Sequence, residues 1–172
     1  MPDDETARKG DQTARAGGSA RTDGEMARTP PGSLAQLSPD AWTEPFWLAA
    51  AEHRLTVPRC RACGVHRMPP GPFCPACRSQ EVDWNEVSGM GTVYSYTVAR
   101  HALIPELAGS IPYVVAVIEL DGAPGVRLVA SVIETPVAAV TIGLRVEVVW
   151  EDVEGISVYR FRPAAAQRPT RR

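Results

Sequence analysis

The spacing of apolar residues changes character along this chain. From Met1 to about Asp40 the only large apolar residues are Met1, Met26, Leu34 and Leu37, set among Gly, Ser, Thr, Pro, Ala and mixed charge. Such a stretch buries too little surface to offset its ordering entropy, so residues 1–40 are expected to be a disordered tail. Met26 lies inside it and offers a second candidate start. A short helical pattern follows. Thr43 reads as its N-cap, Pro45 is tolerated in a first turn, and Phe46, Trp47, Ala50 and Ala51 fall on one face. Leu55 to Arg59 reads as extended.

From Trp84 the period becomes that of strands. Gly91–Arg100, Pro112–Leu120, Val126–Glu134, Gly143–Glu151 and Ile156–Arg162 are rich in β-branched and aromatic residues or alternate apolar with polar. A Gly/Pro turn between the second and third predicts a hairpin. Val146 and Val148 should face away from Arg145 and Glu147, and Ser157, Tyr159 and Phe161 away from Ile156, Val158 and Arg160. Five short strands in about eighty residues fit an OB-fold, a partly open Greek-key barrel, better than a two-sheet sandwich. Gly143 before a strand suggests close approach of another backbone. The end from Ala164 to Arg172 is expected to be flexible.

Between helix and barrel stand the chain's four cysteines, Cys60, Cys63, Cys74 and Cys77, as two C-x-x-C pairs within eighteen residues. Each pair suits a tight turn, and two turns bring four thiolates to one centre, the ligand set of a structural zinc. Two disulfides would need an oxidising compartment, and the charged start Met1-Pro-Asp-Asp-Glu is no secretory signal. A thioredoxin-type dithiol belongs beside a βαβ pattern, which is missing. A catalytic zinc keeps a ligand position open, whereas four thiolates fill it. His66 lies between the pairs as an alternative ligand. The expected architecture is therefore mainly β: a helix over 41–55, a rubredoxin-like zinc ribbon over 56–82 and a five-stranded OB-fold barrel over 83–163. One structural zinc is the expected cofactor.

Charge then narrows the function. The formal net charge is -2. Between Asp83 and Pro163 ten carboxylates face five arginines, a poor match to a phosphate backbone that needs a cationic track. Around the cysteines, Arg54, Arg59, Arg61, Arg67 and Arg78 outnumber Glu52 and Glu81. They suit either the negative charge of a thiolate-bound zinc or the phosphates of a coenzyme. The only lysine is Lys9, which excludes a Schiff-base or P-loop lysine from the folded part. With every cysteine committed to metal, no thiol nucleophile remains, and a lone His101 in a loop reads as solvated. No apolar run reaches the length of a membrane span. A cytoplasmic protein without catalytic machinery of its own is expected.

The Phe46-Trp47 helix, the cysteine quartet, Ser88-Gly-Met-Gly-Thr-Val-Tyr-Ser-Tyr-Thr97, Pro112–Leu120 and Ile142-Gly-Leu-Arg-Val-Glu147 together resemble a family of zinc-ribbon-plus-OB-fold proteins, a domain of unknown function associated with acyl-CoA metabolism. The resemblance covers roughly Thr43 to Pro163, and departs from the pattern at Arg78, where a knuckle often has glycine. It implies a non-catalytic accessory subunit that bridges or stabilises a thiolase-like or aldolase catalytic subunit acting on CoA thioesters, in lipid or steroid metabolism among other settings. It also implies a surface for the CoA part of an intermediate. A stand-alone acyl-CoA-binding module and a nucleic-acid-binding OB protein are the alternatives.

Overall fold

The computed structural model describes residues 24–35 and 37–165. Helix α1 (Glu44–Ala51) has Pro45 in its first turn, where the absent N–H has no helical partner. Thr43 is its N-cap residue as expected, but the Thr43 side chain makes no cap bond and Asp40 holds the turn instead. Asp40 Oδ1 accepts from the backbone N–H of Trp42 and Thr43 (3.0 and 2.8 Å) and from the Thr43 hydroxyl (2.8 Å). The buried face is also rotated from the expected one. Phe46, Ala49 and Ala50 are buried, Trp47 is half-buried, and Ala51 faces out.

The ribbon is framed by strands β1 (Thr56–Cys60) and β2 (Val82–Glu86), antiparallel, with Cys60 opposite Val82. β2 is absent from the strands expected of the pattern because only Val82 and Trp84 in it are apolar. Its pairing with the buried β1, not its own alternation, makes it a strand.

Strands β3 (Met90–Ala99), β4 (Tyr113–Leu120), β5 (Arg127–Val132), β6 (Arg145–Val153) and β7 (Ile156–Pro163) close into a barrel in the order β3-β4-β5-β7-β6, with β6 returning to β3. All pairings are antiparallel except β5 with β7, which meet in parallel at Val132 and Phe161. This is the expected OB-fold, including the β4–β5 hairpin. Val114, Ala116, Ile118 and Leu120 point inward from β4, Leu128, Ala130 and Val132 from β5, and Val93, Val146 and Phe161 join them from β3, β6 and β7. Period-2 alternation places them there.

Glycine is needed where the closure is tightest. A Cβ on Gly91 would sit 2.8 Å from the Glu119 carbonyl oxygen. Gly143 meets another backbone as expected, its N–H donating to Val93 O at 2.8 Å, although the space where a Cβ would lie is open. Its φ of +90° is what favours glycine there.

The stretch expected as tail departs most from the sequence reading. Residues 1–23 lie outside the described residues, as do 166–172. From Gly24 the chain is strapped across the barrel. Met26 forms a bridge with Pro136, the Ala27 N–H donates to Thr135 O and the Arg28 N–H to Pro112 O. Small residues make this possible: Ala27 enters the core, and Gly32 packs on β6 where a Cβ would meet Val153 Cγ2 at 2.4 Å. Poor in bulk apolar residues, the strap adheres through backbone hydrogen bonds and close fit. It also explains Arg160, which is buried, donating to Glu151 (2.5 Å) and to Pro30 O (2.7 Å).

Helix α1 is tied to the barrel by its aromatic pair and by His53, just past its C-terminal end. Phe46 meets Trp47 and Tyr159 edge-on, with ring centroids 4.9 and 5.7 Å apart. His53 Nε2 lies 2.9 Å from Asp152 Oδ1, which also accepts from Ser157 Oγ at 2.6 Å, while the imidazole stacks on Trp150.

Candidate metal centre

Cys60 ends β1 and opens the first knuckle, and Cys74 opens the second. Each turn closes the same way: Gly64 N–H donates to Cys60 O (2.8 Å) and Arg78 N–H to Cys74 O (2.9 Å). Both closing residues are left-handed, Gly64 at φ 76° and Arg78 at φ 64°. Arg78 therefore occupies the glycine conformation that its sequence position calls for, and the departure at this residue leaves the turn unchanged.

The four Sγ atoms lie within 4.8 Å of one another, with Cys60 to Cys77 at 3.5 Å and Cys63 to Cys74 at 3.6 Å. Zinc–sulfur bonds of about 2.3 Å place tetrahedral sulfurs about 3.8 Å apart. The quartet approaches that size, and its thiols are free rather than bridged. Cys60 and Cys74 are buried, whereas Cys63 and Cys77 are exposed. His66 stands outside this cluster, bridged to Arg59 through the backbone.

The electrostatics ask for a cation. The backbone N–H of Cys63 leads the effects that lower the Cys60 thiol, and the N–H of Cys77 leads those that bring Cys74 down to about 6. For Cys63 the Val65 N–H favours the thiolate, yet the neighbouring Cys77, Cys74 and Cys60 sulfurs and burial push it up to about 12. Turn N–H groups thus favour the thiolate at Cys60 and Cys74, while the neighbouring sulfurs oppose it at Cys63. A divalent ion removes that conflict. The four cysteines are positioned to bind one metal ion.

All five barrel arginines are committed to carboxylates: Arg100 to Glu25, Arg127 to Glu119, Arg145 to Asp121, Arg160 to Glu151, and Arg162 to Glu147 and Glu134. Tyr94, exposed on the sheet, carries the Arg127 guanidinium 3.5 Å above its ring. Around the metal centre Arg54 pairs with Glu52 and Glu86, and Arg61 with Asp83. Among the described residues Arg59, Arg67 and Arg78 have no carboxylate partner. The sequence flagged these arginines together; only the structure separates Arg67, which is buried, from the exposed pair.

A groove of 240 Å³ opens where the modules meet, walled by Phe46 and Trp47, Met68 and Pro69, Val129 and Tyr159. Burial raises the Tyr159 hydroxyl above its usual range. Of these, only Phe46 and Trp47 stood out in the sequence.

A cysteine-quartet ribbon joined to a five-stranded closed barrel defines the class, a zinc-ribbon–OB-fold protein. Residues 47–83 match the family model for the ChsH2 rubredoxin-like zinc ribbon domain, and residues 84–151 that for the ChsH2 C-terminal OB-fold domain. A solved chain described as "Ltp2-ChsH2(DUF35) aldolase" is 37% identical, with a TM-score of 0.69, covering 76% of this chain and 100% of that one. The chain belongs to the ChsH2 (DUF35) family.

A "Probable enoyl-CoA hydratase alpha subunit" of Thermomonospora curvata is 42% identical over 124 residues, 71% of this chain. The "3-oxo-4,17-pregnadiene-20-carboxyl-CoA hydratase alpha subunit" of Mycobacterium tuberculosis is 32% identical over 146 residues, 80% of this chain. The chain spans 38% and 45% of the length of these curated relatives. A DUF35 protein from Sulfolobus solfataricus, 17% identical with a TM-score of 0.52, covers 70% of this chain and 84% of its own and shares the fold. Among the described residues no helix is long and apolar enough to cross a membrane.

Proposed function

We propose that this chain is a non-catalytic, zinc-binding accessory subunit that bridges or stabilises a thiolase-type or aldolase enzyme acting on acyl-CoA thioesters. Cys60, Cys63, Cys74 and Cys77 hold one structural zinc. Residues 41–55, 56–82 and 83–163 form the helix, ribbon and barrel that this zinc keeps in register. The observation that carries the reading is the match over 76% of this chain to all of the chain solved as an Ltp2-ChsH2(DUF35) aldolase. When bound, zinc would supply cross-linking of the two knuckles, since four thiolates leave no position for a substrate.

The chain's own residues do the remaining work. Among the described residues, the Ser–Asp–His chain Ser157–Asp152–His53 has its carboxylate in the middle. The hydroxyl therefore has no imidazole to take its proton, and the arrangement clips α1 to the β6–β7 hairpin instead of making a nucleophile. The test is co-purification from the native host with identification of the bound protein. A stoichiometric thiolase-type or aldolase partner is expected; a lone monomer would sink the proposal.

A second reading, a stand-alone acyl-CoA-binding module, draws on the aromatic groove at the module junction. It requires a calorimetric signal from a CoA thioester and the chain alone. Nucleic-acid binding is disfavoured by the pairing of all five barrel arginines, and it would demand steep salt dependence.

A further inference from the structure

Arg67 is 5% exposed, and its Nε is buried without a hydrogen-bond partner among the described residues. Its other nitrogens reach only backbone carbonyls, and only at long range: NH1 to Ser79 O at 3.4 Å and NH2 to Gln80 O at 3.5 Å. A buried guanidinium in this condition is costly, because charge taken out of water needs an opposite charge and short bonds to its donors. The same side chain lines a cavity of 190 Å³ between helix and ribbon. The other walls are apolar or aromatic, with Trp42, Pro45, Pro58, Pro70 and Trp84 prominent. Such a site pairs one cation with an apolar, ring-lined body, and at about 30 Å³ per water-sized group it has room for roughly six non-hydrogen atoms.

We infer that this cavity is a carboxylate-binding pocket: Arg67 takes the carboxylate, and Trp42, Trp84 and the prolines hold a short apolar stem. Arg67 is distinct from the barrel arginines in having no carboxylate partner among the described residues, and from Arg59 and Arg78 in being withdrawn from solvent. The carboxylate is either a free short-chain acid or a glutamate side chain inserted by a docked protein, which presents the same group on a stem of similar length. This inference does not depend on the accessory-subunit reading.

The probe is butyrate, titrated into the zinc-loaded full chain and followed by calorimetry and by tryptophan fluorescence, since two indoles line the site. Saturable binding is expected, weakened at least about tenfold in Arg67→Met, with n-butanol and n-butylamine binding far more weakly. Zinc content and the melting curve establish that each variant is folded. If Arg67→Met does not fold, Trp42→Ala carries the test with the arginine intact and should also weaken binding. A dissociation constant well below about 1 mM makes a free acid the ligand. Saturation only above about 1 mM, still lost in Arg67→Met, makes the pocket a receptacle for a tethered side chain. No saturation up to about 50 mM overturns the inference, as does equal binding by butyrate and butanol. It is equally overturned if butyrate fails to bind while Arg67→Met loses zinc to a chelator sooner, because Arg67 is then only the counter-ion of the thiolate centre.

Discussion

Cys63 and Cys77 are exposed while Cys60 and Cys74 are buried, so the quartet presents one pair of thiolates to solvent. On the role proposed here all four are needed, because metal binding and folding of the knuckles would be one equilibrium. Cys63→Ser and Cys77→Ser should each bind zinc substoichiometrically and melt at lower temperature; atomic absorption and calorimetry measure both. Full zinc occupancy with unchanged melting in both variants would contradict the assignment. Arg160 supplies a second residue-scale test. Removing a buried partner leaves the Pro30 carbonyl and Glu151 without their donor, so Arg160→Met should cost about 1–3 kcal/mol in urea unfolding. Asp152 predicts a pH effect. The Ser157 hydroxyl first, and His53 next, hold its carboxyl below the usual range. A depressed folded-state value adds stability above the unfolded value of about 3.9 that is lost as pH falls further. Asp152→Asn should therefore flatten the stability profile on the acid side of about pH 4, read from unfolding midpoints.

At the scale of elements, the barrel and the metal motif were legible because their signals are local. The nearly continuous apolar run Pro112–Leu120 forms a strand that buries Val114, Ala116, Ile118 and Leu120, and two C-x-x-C pairs enforce knuckles whatever surrounds them. The strap and β2 were not legible. Their order comes from partners distant in sequence: Thr135 and Pro112 for the strap, and β1 for β2. The helix was legible in position but not in rotation, since Ala49 and Ala51 are chemically alike and only the docked barrel distinguishes them. Two glycines test this scale. Gly91→Ala puts a methyl carbon 2.8 Å from the Glu119 carbonyl oxygen on β4, and it should cost about 1–3 kcal/mol by overpacking a closure that backbone cannot relax. Gly32→Ala meets Val153 at 2.4 Å and should loosen the strap, visible as faster amide exchange at Ala27 and Arg28 with the barrel core unchanged. Exchange that speeds equally throughout would make the strap part of one cooperative unit.

In the whole molecule a few specific contacts join the helix to the barrel: Phe46 and Trp47 on Tyr159, and His53 on Asp152 and Trp150. Its relatives are hydratase alpha subunits and an aldolase assembly. The role proposed here is to present a zinc-fixed surface to such an enzyme and leave the chemistry to that partner. The most direct measurement is turnover of a CoA thioester by a purified thiolase-type or aldolase partner, alone and with the zinc-loaded chain, beside the chain by itself. The account predicts no turnover by the chain, a rise in rate or partner stability that saturates at a fixed stoichiometry, and loss of that rise with Cys63→Ser. Turnover by the isolated chain, or a partner equally active and stable without it, would contradict the account.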